Sequence, residues 1–272
     1  MTSPPISDGR NFFYGLENQI VSVNSQGKTV WTVDVKSNPL GAGAVVSDKL
    51  VYAAEGQNEG RLMCLDPTDG EMLWEQTFDS PPASAPVIGS LNQGYVVTVL
   101  DRNGQVRAFS LDNGQNLWTH GLDEPSYLAT AAGYGKLAVA YPNGEIILLS
   151  LQEGKRIWEA ELGSAQAAPP TVTSQGVLVP SKDTYLYLLS MESGDIKWKT
   201  RLSQTVSEPA IVVENQIAQS DEDGQVHLLK LGDGALITTV KVGGPWVSRV
   251  VPGHSRWALS NSSGEYRVYK TP

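Results

Sequence analysis

Five of the seven tryptophans, Trp31, Trp74, Trp118, Trp158 and Trp198, recur at intervals of 43, 44, 40 and 40 residues. A steady period of that length marks a chain assembled from copies of one supersecondary unit. Each of the five follows a glycine by four positions: Gly27, Gly70, Gly114, Gly154 and Gly194. A sixth copy keeps the glycine, Gly234, but carries Thr238 where tryptophan is expected. Four residues after each tryptophan stands a large apolar residue, Val35, Phe78, Leu122, Leu162 and Leu202, with Val242 in the sixth copy. Residues four apart on a strand share a face, so tryptophan and this residue enter one layer. Polar positions between them, such as Glu159 and Glu161 or Lys197, Lys199 and Arg201, suit a strand with one face or edge near water.

Upstream of each glycine the sequence turns more apolar, as in Glu145–Leu151 and Tyr185–Met191, which predicts a strand buried on both faces. A further strand precedes it across a tight turn: Asn103-Gly104, Asn143-Gly144 and Asp223-Gly224 favour the type I′ hairpin. Ahead of that hairpin lies a first strand of small residues and proline, Ala83–Val87 or Ala167–Thr171. No segment shows a helical period. Four antiparallel strands in roughly 41 residues predict an all-β chain, a β-propeller of about seven four-stranded blades. The blades are expected at 2–37, 38–80, 81–124, 125–164, 165–204, 205–244 and 245–272 of a single domain. The last has room for three strands, ending in Gly264–Tyr269, and how the ring closes stays open.

The second copy, Cys64-Leu65-Asp66-Pro67-Thr68-Asp69-Gly70 running on to Trp74, resembles the docking motif of pyrroloquinoline-quinone-type (PQQ-like) propeller repeats. Weaker copies run from Leu111 to Trp118, Leu151 to Trp158 and Met191 to Trp198. The resemblance implies that Trp31, Trp74, Trp118, Trp158 and Trp198 are structural docking residues packed between blades. The same repeat serves quinoprotein dehydrogenases, outer-membrane β-barrel assembly lipoproteins and sensor domains, so it fixes architecture and leaves function to individual sites. It favours a bacterial periplasmic or cell-surface location.

The chain has 272 residues, 20 Lys and Arg against 29 Asp and Glu, and a net charge of -9. Such a surface disfavours nucleic acid and anionic lipid, which both need basic patches. No apolar run approaches a membrane span and no secretion signal is visible, so no direct membrane insertion is expected. The one cysteine, Cys64, closes no internal disulfide and offers no adjacent pair on which a quinone would stack. His120, His227 and His254 fall in different repeats without ligand spacing, and no serine lies in a Gly-x-Ser-x-Gly elbow. Asp221-Glu222-Asp223-Gly224 resembles half a calcium loop, yet Gly232 stands where the closing glutamate belongs. No cofactor, no metal and no catalytic residue are expected. The reading is a non-enzymatic scaffold that docks a protein or peptide, with a quinone- or small-molecule-binding propeller as the alternative.

Strand order would place the Asn-Gly-type turns and the blade-to-blade connections on one face, around the channel mouth. Acids there, Asp101, Asp123, Glu124, Asp221, Glu222 and Asp223 among them, outnumber the bases Lys36, Arg102, Lys182 and Arg249. Trp246 departs from the repeat spacing and falls on a connection of the same rim, followed by Arg249. Asp101, Asp123, Glu124, Asp221, Glu222, Asp223, Trp246 and Arg249 are the expected partner-binding set, and the excess of acids suits a basic segment. An exposed Trp246 would serve as the hot spot; a buried plug at the ring closure is the other reading.

Overall fold

The computed structural model describes residues 5–123, 129–206 and 208–241, together with the backbone of Val251–Gly253, Arg256–Ser260 and Tyr266–Lys270. Within them every regular element is a strand. Six sheets are each built on four antiparallel strands taken in chain order, and a seventh has three. The third sheet shows the pattern: Val87–Ser90, Tyr95–Leu100, Gln105–Ser110 and Asn116–Gly121. Contacts divide the chain into two compact units. One holds the first three sheets and the segment Leu151–Lys155; the other holds the remaining sheets.

The second and third strands carry the core, as their near-continuous apolar sequence requires. Ile146–Leu149, Val177–Pro180 and Leu186–Leu189 are buried throughout. Cys64 is fully buried in such a strand, and burial pushes its thiol up to about 12, which leaves it a small apolar filler.

First strands depart from the expected continuous run. In the second sheet the strand comes in two pieces, Asn38–Pro39 and Ala44–Val46, both paired with Lys49–Glu55. In the third and fifth sheets an isolated bridge, Pro82 to Asp101 and Gln166 to Ser181, precedes the strand proper. Proline causes the break, because Pro86 in one and Pro169 and Pro170 in the other donate no hydrogen bond to a ladder.

Fourth strands share one irregularity in all six complete sheets. The register shifts immediately after the residue opposite tryptophan, or opposite Thr238 in the sixth sheet, for example between Ala108, which faces Trp118, and Phe109, which faces Asn116. The residue before each tryptophan is therefore bulged out of the ladder. That accounts for the exposure of Val30, Leu73, Leu117, Ile157 and Ile237.

The bulge presents the tryptophan to the next repeat. Trp31 Nε1 donates to the Pro67 carbonyl at 3.0 Å, Trp74 to Leu111 at 2.8 Å, and Trp118 to Leu151 at 2.9 Å. In the second unit Trp158 donates to Met191 at 3.1 Å and Trp198 to Leu231 at 3.0 Å. Each ring also lies on the glycine of the following copy. A Cβ on Gly154 would stand 2.5 Å from the Trp118 ring, and one on Gly194 would stand 2.9 Å from Trp158. These glycines have φ near +70°, so left-handed backbone and ring contact both demand glycine. Gly27 has the same turn, and among the described residues a Cβ there would meet nothing within 4 Å.

Thr238 is exposed, unlike Trp31, Trp74, Trp118 and Trp158 at the same position. Val35, Phe78, Leu122 and Leu202 are buried beside the tryptophans, as their spacing predicts, and Val242 lies outside the described residues.

Three outcomes follow from this packing. Trp118→Ala should destabilise the fold by about 3–5 kcal/mol, the range for emptying an aromatic core site. Gly154→Ala should cost distinctly more than Gly27→Ala, which meets only the left-handed backbone penalty of about 1–2 kcal/mol; chemical denaturation measures both. Amide exchange should be faster in Leu236–Lys241 than in Arg156–Glu161, and equal protection would contradict the role given to the tryptophan.

Candidate partner-binding surface

The turns between second and third strands are shaped by the residue that ends the second strand. Asp101 Oδ1 accepts the amides of Asn103 and Gln105, both at 2.9 Å. Asp221 Oδ1 accepts those of Asp223 at 3.1 Å and Gln225 at 2.9 Å. Such an Asx turn leaves glycine next, at Gly104 and Gly224, with φ of 76° and 73°.

The second carboxylate oxygen reaches inward. Asp101 Oδ2 pairs with Arg107 Nη1, whose Nη2 meets Asp79 at 2.9 Å, and the guanidinium lies 5.1 Å from the centre of the Phe78 ring. Asp221 Oδ2 accepts the Ser203 hydroxyl at 2.6 Å and lies 2.9 Å from His227 Nε2. His227 Nε2 faces the acceptor-only carboxylate and so carries the proton of that bond, while Nδ1 lies 3.1 Å from Thr239 Oγ1. In the fifth sheet Tyr187 donates to Asp183 at 2.5 Å. Burial and this bond push the Tyr187 phenol up to about 12.

Asp101 and Asp221 are thus 1% and 2% exposed, and they hold turns in place instead of offering charge to a partner. Asp123, Glu222 and Asp223 are exposed. Glu222 accepts the Thr205 hydroxyl at 2.7 Å, while on another turn Arg102 forks onto Glu55 at 2.7 and 2.9 Å. Glu124, Trp246, Arg249 and His254 lie outside the described residues.

Arg107, His227 and Tyr187 occupy one register position, each opposite the residue after the tryptophan or its threonine substitute. The signal was present in the sequence, because Arg107 and His227 each follow the turn aspartate by six residues. Ser203 and Asp221 both face Nε2 of His227, which is not the relay a nucleophilic serine needs. Among the described residues no group of three or more His, Cys, Asp or Glu side chains is placed to hold a metal.

Burial alone would raise the Asp221 carboxyl, but hydrogen bonds from His227, Ser203 and the Gln225 amide outweigh it and hold it below its ordinary 3.8. A lowered carboxyl stabilises the fold fully above about pH 4, and that contribution is lost as the pH falls through the lowered value. Asp221→Asn should therefore cost about 2 kcal/mol at neutral pH. Urea unfolding should show the gap to the unsubstituted protein narrowing as the pH falls below the ordinary carboxyl value of 3.8; a constant gap would contradict the charged role.

Known proteins set these sheets in a family. The family model described as outer membrane protein assembly factor BamB, a model of PQQ-type repeats, matches residues 17–235 and again 142–260. Among solved structures, BamB from Moraxella catarrhalis superposes with a TM-score of 0.75 at 18% identity, covering 97% of this chain and 83% of that one. The computationally designed Ika8 protein gives 0.80 at 13% identity, covering 99% and 83%. The C-terminal WD40 domain of Sif2 gives 0.74 at 16% identity, covering 99% and 80%. No curated protein matches the sequence. At these identities the structural likeness is one of fold, and the fold is a β-propeller. The family match spans most of the sequence, and the chain belongs to the outer membrane protein assembly factor BamB family of PQQ-like repeat propellers.

Proposed function

We propose that this propeller is a non-enzymatic scaffold that docks a basic protein or peptide on the turns between its second and third strands. The observation that carries the reading is the division of labour in those turns. A buried aspartate fixes the backbone, and the residues beside it, Glu222 and Asp223, are exposed. A rigid turn that presents carboxylates loses little conformational entropy on binding. The net charge of -9 steers a cationic partner toward such a surface. Asp123, on the connection that follows the third sheet's fourth strand, adds an exposed carboxylate in the first unit.

The family description, an assembly factor for outer membrane proteins, supplies the class of role: holding another protein during its assembly in the bacterial envelope. The buried Cys64 and the fully engaged Asp221 and His227 agree with a body used for support rather than chemistry. A quinone-binding reading gains no specific observation in its favour.

The test combines Glu222→Gln with Asp223→Asn and leaves the buried Asp221 untouched. Binding to a surface-bound lysine- and arginine-rich peptide should weaken several-fold, and its dependence on salt between about 50 and 300 mM should flatten. Unchanged affinity and unchanged salt dependence would refute the assignment of these turns.

A further inference from the structure

Tyr134 joins left-handed backbone to an exposed aromatic ring. It opens the turn Tyr134-Gly135 between the strands Ala129–Gly133 and Lys136–Ala140. Its φ is +50° and its side chain is 63% exposed. Left-handed backbone is costly for a bulky residue, and asparagine or glycine would relieve it. The ring adds nothing to a core that would offset that cost. A strained, exposed aromatic is the kind of outlier from which a function can be inferred.

The ring borders a recess of about 450 Å³ in the second unit, within the range of ligand sites. Val172, Ile211 and Val212 line it, and Ser174 and Glu214 bring polar groups to it. Glu214 repeats the anomaly of Tyr134: it opens the turn after Ile211–Val213 with φ +54° and is exposed. Two wall hydroxyls are already committed, Thr171 to the Ala210 carbonyl at 2.7 Å and Thr173 to the Gly176 carbonyl at 2.8 Å. Tyr134, Glu214 and Ser174 are left as the polar means of recognition.

We infer that this recess receives the arginine or lysine side chain of a second polypeptide. An aliphatic stem fits against Val172, Ile211 and Val212, and a cationic head meets the Glu214 carboxylate and the face of Tyr134. Among the described residues Glu214 forms no ion pair, and the acidic chain favours a cation over an anion. The volume exceeds one side chain and leaves space for adjoining peptide backbone. This site uses different turns from the proposed scaffold surface and does not rest on that reading.

Titration of ¹³C-methyl-labelled protein with acetyl-Gly-Arg-Gly-amide tests it directly. The Val172, Ile211 and Val212 methyl resonances should shift saturably. The citrulline analogue, which keeps the shape and loses the charge, should bind about tenfold more weakly. Glu214→Gln should weaken the arginine peptide by a similar factor. Tyr134→Asn should weaken it several-fold while leaving the melting temperature equal or higher, as strain is relieved. The combined Glu222 and Asp223 substitution should leave this binding unchanged. Equal affinity for the citrulline peptide, no effect of Glu214→Gln, or shifts produced instead by methyl glucoside would each overturn the assignment. Free argininamide binding as tightly as the peptide would overturn the polypeptide as its source.

Discussion

The indole of one repeat lying on the left-handed glycine of the next is the contact on which the architecture depends. It joins three requirements that a single substitution breaks. The glycine needs positive φ, its missing side chain makes room for the ring, and the indole N–H needs the carbonyl that the same turn offers. A four-stranded sheet of this size buries too little to stand by itself, so interlocked neighbours are what make it stable. The bulge before each tryptophan belongs to the same device. It shifts the register so that the ring is presented, and it moves the residue before the tryptophan to the surface, an apolar one in four of the five copies.

This contact frees the turns at the far ends of the third strands for other work. Asp101 and Asp221 stabilise their own turns from inside, with Arg107 and His227 as partners from the neighbouring strand. Charge counted along the chain and charge presented to solvent therefore differ. In the proposed recognition surface the exposed neighbours of these aspartates carry the charge, held still by the buried ones.

Much of this was legible beforehand. The tryptophan period and its glycines predict repeated four-stranded sheets, and Asp-Gly and Asn-Gly mark the hairpins between second and third strands. It was less legible that Gly70, Gly114, Gly154, Gly194 and Gly234 each serve the preceding repeat's tryptophan, because spacing within a copy is silent about contacts between copies; Gly27, with no ring on it among the described residues, makes the point. The broken first strands could have been read from Pro86, Pro169 and Pro170. The burial of Asp101 and Asp221 could not be read from turn position alone, since it depends on what the third strand places opposite. Tyr134-Gly135 escapes the usual turn signatures because tyrosine is a poor choice for left-handed backbone, which is also why it draws notice in three dimensions.

The most direct measurement of the central contact is a double-mutant cycle between Trp158 and Gly194, which meet in the second unit. If the glycine exists to receive the ring, Gly194→Ala should be much less costly once Trp158→Ala has removed the ring. The double substitution should then cost less than the sum of the two single ones by about 1 kcal/mol or more in equilibrium unfolding. Strict additivity would mean that the glycine answers to its own turn alone and that the repeats are held together by something else.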